Sequence, residues 1–231
     1  MLKERSIETE VGGFISTLLR KHFGKGPTSV YVTIKRPFII MHFRGFTTTM
    51  EKILLKQNEW KRVLETRNLL VQELKPIIRR QLKEIAGWTI DEFYVDWNLD
   101  LETGTFLAVS SEKADPLNFE WPSEYDKVIF DMKLEQVCKT LQRNLHQTDT
   151  YWVNDRTLLI CWTGVLTEIE KALIRNGHSE ILKYTKRPLE RSMLEAAGFE
   201  SVFEKRIQEI FLDWDNGSNI GYVIMVLDIK K

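Results

Sequence analysis

The chain has 231 residues, with 33 Lys and Arg balanced by 33 Asp and Glu, so its formal net charge is zero. A composition of 43% hydrophobic and 29% charged residues is that of an ordinary globular protein and excludes a disordered polyelectrolyte. Apolar runs such as 220–227 fall well short of the roughly 20 residues a membrane-spanning helix needs. The amino-terminal MLKERSIETE lacks the apolar segment of a secretory signal, so a cytoplasmic location is expected.

In chain order, Ile7, Val11, Phe14, Ile15, Leu18, Leu19 and Phe23 recur at helical spacing and predict a helix over 5–23 with one apolar face. Gly24 supplies its carboxyl-terminal cap, and Pro27 prevents continuation. Strands follow at 30–34 and 38–44, around the turn Lys35-Arg36-Pro37. Thr48 and Glu51 then stand in the Thr-x-x-Glu spacing of a capping box. The hydroxyl accepts from the third backbone N–H, and the carboxylate accepts from the N–H of the threonine. The helix begun there pauses near Asn58. A longer one runs to Gly87, with a bend expected at Pro76. A last pair of strands, 90–97 and 105–110, is joined by the turn residues 100–104.

The second half repeats this order. GFTTTMEKIL (45–54) and GVLTEIEKAL (164–173) share Gly, Thr, Glu, Lys and Leu at a constant offset of 119. Lys75-Pro76 returns as Arg187-Pro188, Ala86-Gly87-Trp88 as Ala197-Gly198-Phe199, Asp96-Trp97 as Asp213-Trp214, and Gly104 as Gly221. Leu134, Val137, Cys138, Leu141 and Leu145 repeat the first apolar stripe. Strands 151–153 and 157–163, a second capping box at Thr167 and Glu170, and strands 207–214 and 220–229 complete the series. The chain is therefore a duplication. The expected fold is α+β: two tandem αββααββ repeats, each a mostly antiparallel four-stranded sheet with helices packed on one face. The first repeat is expected over 1–112 and the second, diverged one over 128–231. The aperiodic segment 113–127, which holds Pro116 and Pro122, reads as a linker. A fused pair predicts an intramolecular pseudo-dimer, with a homodimer as a further arrangement.

Candidate chemistry is sparse. The neutral total conceals a net +3 over 1–115 and −3 over 116–231, and no acid occurs from Val11 to Met50. Within that stretch Lys25, Lys35, Arg36 and Arg44 are the candidates for an anion or nucleic-acid site, since cations beside a glycine-rich turn favour negative charge. The competing reading is solvated charge, with Arg20 and Lys21 serving the last turn of a helix. Thr48, Glu51, Thr167 and Glu170 read as structural caps. Asp96, Asn98, Asp100 and Glu102 alternate as in a calcium loop but lack its glycine and its distal glutamate. His22, His42, His146 and His178 have no ligand spacing, and Cys138 and Cys161 lie in apolar patterns. No catalytic residue, metal site or cofactor is assigned, and a non-enzymatic protein is expected. Seven tryptophans point to packing within the core or between the halves rather than to base stacking, so nucleic acid is a disfavoured partner. Tandem homing endonucleases share this element order. They end the first helix in a metal-binding acid, where this chain has Ser16-Thr17 and Thr140-Leu141-Gln142.

GKGPTSVYVTI (24–34), followed by FRGFTTTMEKIL (43–54), resembles a bacterial family first described as a domain of unknown function and named after MpsC. That is a component of a sodium-translocating, membrane-potential-generating system. The family pattern is a first helix, a Gly-x-Gly-Pro-(Thr/Ser) turn, a strand pair, Gly-x-Leu-Thr-x-x-Glu-x-x-Leu, long helices and an Asp-containing hairpin. The first half keeps the turn at Gly24-Lys25-Gly26-Pro27-Thr28 and has Thr47 in place of the leucine. The second half keeps Gly164-Val165-Leu166-Thr167 and Glu170 and reads HQTDT (146–150) in place of the turn. The resemblance covers about 100 residues in each half. It implies a cytoplasmic accessory protein without catalytic residues, working through protein–protein contact near a membrane ion or bicarbonate system. Membrane-associated ion-transport proteins are the implied partners.

Overall fold

The computed structural model describes residues 6–112, 114–143 and 145–228. The chain divides into two compact units between Ala114 and Asp115. In the first, α1 (Ile7–Phe23) leads into the hairpin β1 (Ser29–Lys35) and β2 (Phe38–Arg44). The short α2 (Thr49–Lys56), the long α3 (Trp60–Ala86) and the hairpin β3 (Ile90–Asn98) and β4 (Thr103–Ser110) follow. The second unit opens with a 3-10 turn (Pro116–Phe119). It continues through α4 (Lys127–Thr140), β5 (Gln147–Asn154), β6 (Thr157–Thr163), α5 (Glu168–Arg175), α6 (Ser179–Ala196), α7 (Glu200–Phe203), β7 (Ile207–Trp214) and β8 (Ile220–Leu227).

Each unit has one antiparallel four-stranded sheet, ordered β1-β2-β4-β3 in the first and β5-β6-β8-β7 in the second. The fold is α+β in tandem. In the first core, Val11, Ile15, Leu18 and Leu19 of α1 and Ile78 and Leu82 of α3 meet Ile39, Met41 and Phe43 of β2 and Phe93, Val95 and Trp97 of β3. In the second, Phe130, Leu134, Val137 and Cys138 of α4 meet Leu158, Ile160 and Trp162 of β6 and Ile210, Leu212 and Trp214 of β7. The buried stripes of α1 and α4 match position by position. The matched glycines Gly104 and Gly221 are packing residues. A Cβ on Gly104 would lie 2.6 Å from the rings of Phe43 and Trp97, and one on Gly221 would lie 3.1 Å from Val165.

The units also differ. Helix α3 has 27 residues and α6 has 18. The buried Val63, Arg67, Ile78 and Leu82 align with Leu182, Lys186, Glu190 and Leu194 once the two turns bearing Val71 and Leu74 are removed, so the buried face is kept. Prolines 76 and 188 lie inside these helices. The segment expected as a linker, 113–127, is instead part of the second unit from Asp115 onward. Phe119 packs on Tyr151, Trp121 donates to the carbonyl of Tyr125 at 2.6 Å, and Tyr125 is buried in the core. Three aromatic anchors outweigh the proline-rich composition that made the segment read as a linker.

Candidate functional site

The capping boxes hold a larger construction in each unit. Thr48 accepts from the N–H of Glu51 at 3.3 Å, while the Glu51 carboxylate accepts from the Thr48 N–H at 2.7 Å. Thr167 and Glu170 do the same at 3.4 and 2.8 Å. In both units the capping glutamate also receives a buried cation from the following helix. Arg67, with no exposed surface, donates to Glu51 at 2.7 and 3.0 Å and to the carbonyl of Phe46 at 2.8 Å. Its guanidinium lies 4.6 Å from the Trp97 ring. In the second unit Lys186 donates at 2.9 Å to both Glu170 and the carbonyl of Val165, and lies 4.9 Å from the Trp214 ring. Arg67 and Lys186 stand at the same offset of 119 as the capping boxes. Each clamp therefore ties the first turn of a short helix, α2 or α5, to a long helix and to a tryptophan of the sheet.

The fixed helices turn apolar side chains outward. Met50 and Ile53 on α2 are 66% and 49% exposed, and Ile169 and Leu173 on α5 are 73% and 37% exposed. Met50 and Ile169 are equivalent positions at the shared offset.

Around the second clamp the chemistry changes. Arg143 and Glu190, both nearly fully buried, form an ion pair, and Glu190 lies 3.8 Å from Lys186. Glu190 stands where Ile78 stands in the first unit. Arg187 and Lys183 reach Asp213, the latter at 3.5 Å. Burial pushes the Glu190 carboxyl above its ordinary value, against the pull of Arg143 and Lys186. It pushes Lys186 below its ordinary value, against Glu190 and Glu170. For Glu51, burial acts upward, but Arg67 and the Thr48 hydrogen bonds outweigh it and hold the carboxyl below the usual range. Burial raises the Cys138 thiol to about 11, so it is a core thiol rather than a nucleophile.

A groove of about 800 Å³ lies between α4 and β5. In the first unit Gly12 brings α1 onto β1, where a Cβ would lie 3.5 Å from Val32 and 3.8 Å from the Val30 carbonyl. By helix position Asp131 replaces Gly12. By sheet register, with Ser29 opposite Arg44 and Gln147 opposite Thr163, Thr148 and Thr150 replace Val30 and Val32. A carboxylate and two hydroxyls thus stand where a glycine and two valines closed the helix onto the strand. The loop ends differ in the same region. Gly24 and Gln142 both adopt left-handed backbone and precede Lys25 and Arg143 respectively. Lys25 donates to the Thr47 carbonyl at 2.9 Å, whereas Arg143 turns to Glu190.

The four cations marked as anion candidates lie in pairs at opposite ends of the β1–β2 hairpin. Lys25 and Arg44 flank its open end; Lys35 and Arg36 stand at the turn, six residues along a strand, or about 20 Å. Arg36 pairs with Glu112 at 2.8 Å and stacks 4.6 Å from Trp88, and Arg44 lies 5.8 Å from the Tyr31 ring. Burial lowers the pKa of Lys35. Thr48, Glu51, Thr167 and Glu170 all belong to the clamps. Sequence spacing does not single out Arg67, Lys186, Arg143 and Glu190. For Arg67, Lys186 and Glu190 the signal is a charged residue inside an apolar helical stripe; Arg143, in the loop after α4, carries none.

The profile of a protein family described as the Na+-translocating membrane potential-generating system (MpsC) matches residues 3–112 and 132–229. The chain belongs to this family. The two MpsC matches fall one on each unit, so the chain carries the family's domain twice. No curated protein and no solved structure matches it. Among the described residues no helix is long and apolar enough to cross a membrane, and no group of three or more His, Cys, Asp or Glu is placed to hold a metal ion.

Proposed function

We propose that this MpsC-family chain is a non-enzymatic accessory component, acting by protein–protein contact on a sodium-linked membrane system. The observation that carries this reading is the pair of clamped helices. An eight-residue helix is too short to be stable by itself. Here α2 and α5 are each fixed by a capping box and a buried cation, and each presents apolar side chains to solvent, with Met50 and Ile169 at equivalent positions. Rigid, outward-facing apolar groups on a polar surface are the make-up of a contact surface. The family's description supports a partner belonging to a sodium-translocating membrane system. The location in this reading is the cytoplasmic side of that membrane.

The test is retention of the purified protein on native membranes, comparing wild type with Met50→Lys, Ile169→Lys and the double variant. Loss in the variants, with folding unchanged, is expected; equal retention of all four proteins would refute the contact surface. The competing reading, an anion or nucleic-acid site in 20–44, is tested by polyanion binding against salt. It requires a steep salt dependence that disappears when Lys25, Lys35 and Arg36 are neutralised.

A further inference from the structure

We propose that the groove between α4 and β5 is a binding site for a small amphiphilic carboxylate. Its head group takes Arg143 over from Glu190, and its short alkyl part lies on Leu134, Cys138 and Leu145. Arg143 lines both this groove and a small pocket of about 10 Å³ that also touches Glu190, Trp162 and Trp214. It is thus the residue through which the groove meets the buried charges. The acids along the groove are already held. Asp131 accepts from Lys127 at 2.7 and 2.9 Å, Glu135 pairs with Lys139 at 2.6 Å, and Asp149 accepts from the Gln147 amide at 2.8 and 3.0 Å. Arg143 already holds a carboxylate, and its Nη1 is buried without a hydrogen-bond partner. A guanidinium has five donors in a planar fork suited to carboxylates, so a ligand carboxylate can take the place of Glu190 on it. Leu134 and Cys138 are buried and Leu145 is half-buried, giving the alkyl part an apolar floor.

The exchange is electrically balanced if Glu190 takes up a proton as the ligand's negative charge arrives. The groups facing Glu190 allow this. Arg143 comes from the loop after α4, Lys186 from α6 and Glu170 from α5. Asp213 and Trp214 of β7, Trp162 of β6 and Tyr222 of β8 line the small pocket, and Asp213 is engaged by Arg187 and Lys183. Cys138 and Glu135 of α4 lie on the groove side. Burial already favours the neutral form of Glu190. Arg143, Glu190, Lys186 and Glu170 form a continuous chain of ion pairs from the groove to the amino-terminal cap of α5. Neutralising Glu190 leaves Lys186 with Glu170 alone and alters the α5 clamp.

The test is calorimetric titration of the full chain with acetate, butyrate and hexanoate at pH 6 and pH 8, with ionic strength held by sodium chloride. Affinity is expected to rise along the series, by up to about fourfold per buried methylene. It is expected to rise as pH falls, by up to about tenfold per pH unit for one coupled proton. Glu190→Gln, the neutral mimic, should bind hexanoate more tightly and without pH dependence; Arg143→Met combined with Glu190→Gln should not bind it. Tryptophan fluorescence checks that each variant folds. Hydrogen exchange at the α5 amides of Glu170 and Lys171 should change on saturation. Absence of hexanoate binding by wild type and by folded Glu190→Gln would overturn the site. So would a chain-length series without a gradient. Binding that leaves α5 exchange unaltered would overturn the link to the clamp.

Discussion

The two repeats use one clamp built from different cations, and the comparison shows what the clamp requires. Arg67 reaches a carboxylate with two nitrogens and a carbonyl with one of them, and no second acid stands beside it in the helix stripe. Lys186 meets the same two partners with a single ammonium and has Glu190 one turn further along. A fork of fixed donors suits a closed pair, whereas a compact ammonium can be shared among several acids. The geometry common to both units is the fixing of a short helix to the sheet. What differs is whether the buried charge stops at that helix or continues to a groove.

The largest effects should come from removing a buried cation. Arg67→Met leaves Glu51 and the Phe46 carbonyl without their buried cation, and Arg143→Met leaves Glu190 with Lys186 alone, 3.8 Å away. Each should cost its own unit about 3–5 kcal/mol, read by hydrogen exchange in peptides of the two units. Arg67→Lys, which places the second repeat's cation in the first, should cost far less. Next in size, Arg143→Met combined with Glu190→Ile restores the residue type of Ile78. It should recover the loss and add up to about 1–4 kcal/mol, because an apolar replacement of a buried pair has no desolvation to offset. Failure to recover would mean that the second repeat needs its charges for folding.

The units should also respond to pH in opposite senses. Glu51 has a lowered carboxyl, so its contribution is present above the ordinary glutamate range and is lost as pH falls through its folded value. Glu190 has a raised carboxyl. The folded state therefore holds the extra proton, and the second unit loses stability as pH rises from the ordinary glutamate range through the raised value. Exchange measured across that range should show the contrast, and Glu190→Gln should remove the second unit's share. Smaller still, Thr48→Ala and Thr167→Ala should each cost about 1 kcal/mol, and nearly the same amount, since the two caps are alike. The smallest effects on stability, within about 0.5 kcal/mol, are expected for Met50→Lys and Ile169→Lys, whose side chains are exposed.

The parts legible in the sequence were those set by local spacing. Capping boxes, hairpins and apolar stripes involve residues within a few positions of one another, and the duplication made each visible twice. The shortening of α6 was visible as a drift in offset between the capping boxes and Pro188, without showing that two whole turns had gone. The clamps were not legible, because Glu51 and Arg67 are sixteen residues apart and meet only when α2 folds back on α3. The groove was hidden for a different reason. It depends on how closely a helix lies on a strand, and the change of Gly12 to Asp131 shows its effect only once both repeats are laid on the same register. The prolines of 113–127 give it the composition of a linker, whereas Phe119, Trp121 and Tyr125 anchor it to the second unit.

The central claim is that α2 and α5, held alike in two diverged repeats, carry contact surfaces for a membrane protein partner, with Met50 and Ile169 at equivalent positions. Co-sedimentation with native membranes tests it most directly, comparing wild type with the Met50→Lys/Ile169→Lys double variant at equal folded concentration. The account predicts that wild type sediments with the membranes, that each single variant does so less, and that the double variant stays in solution. Equal sedimentation of wild type and double variant, or none by wild type, would contradict it.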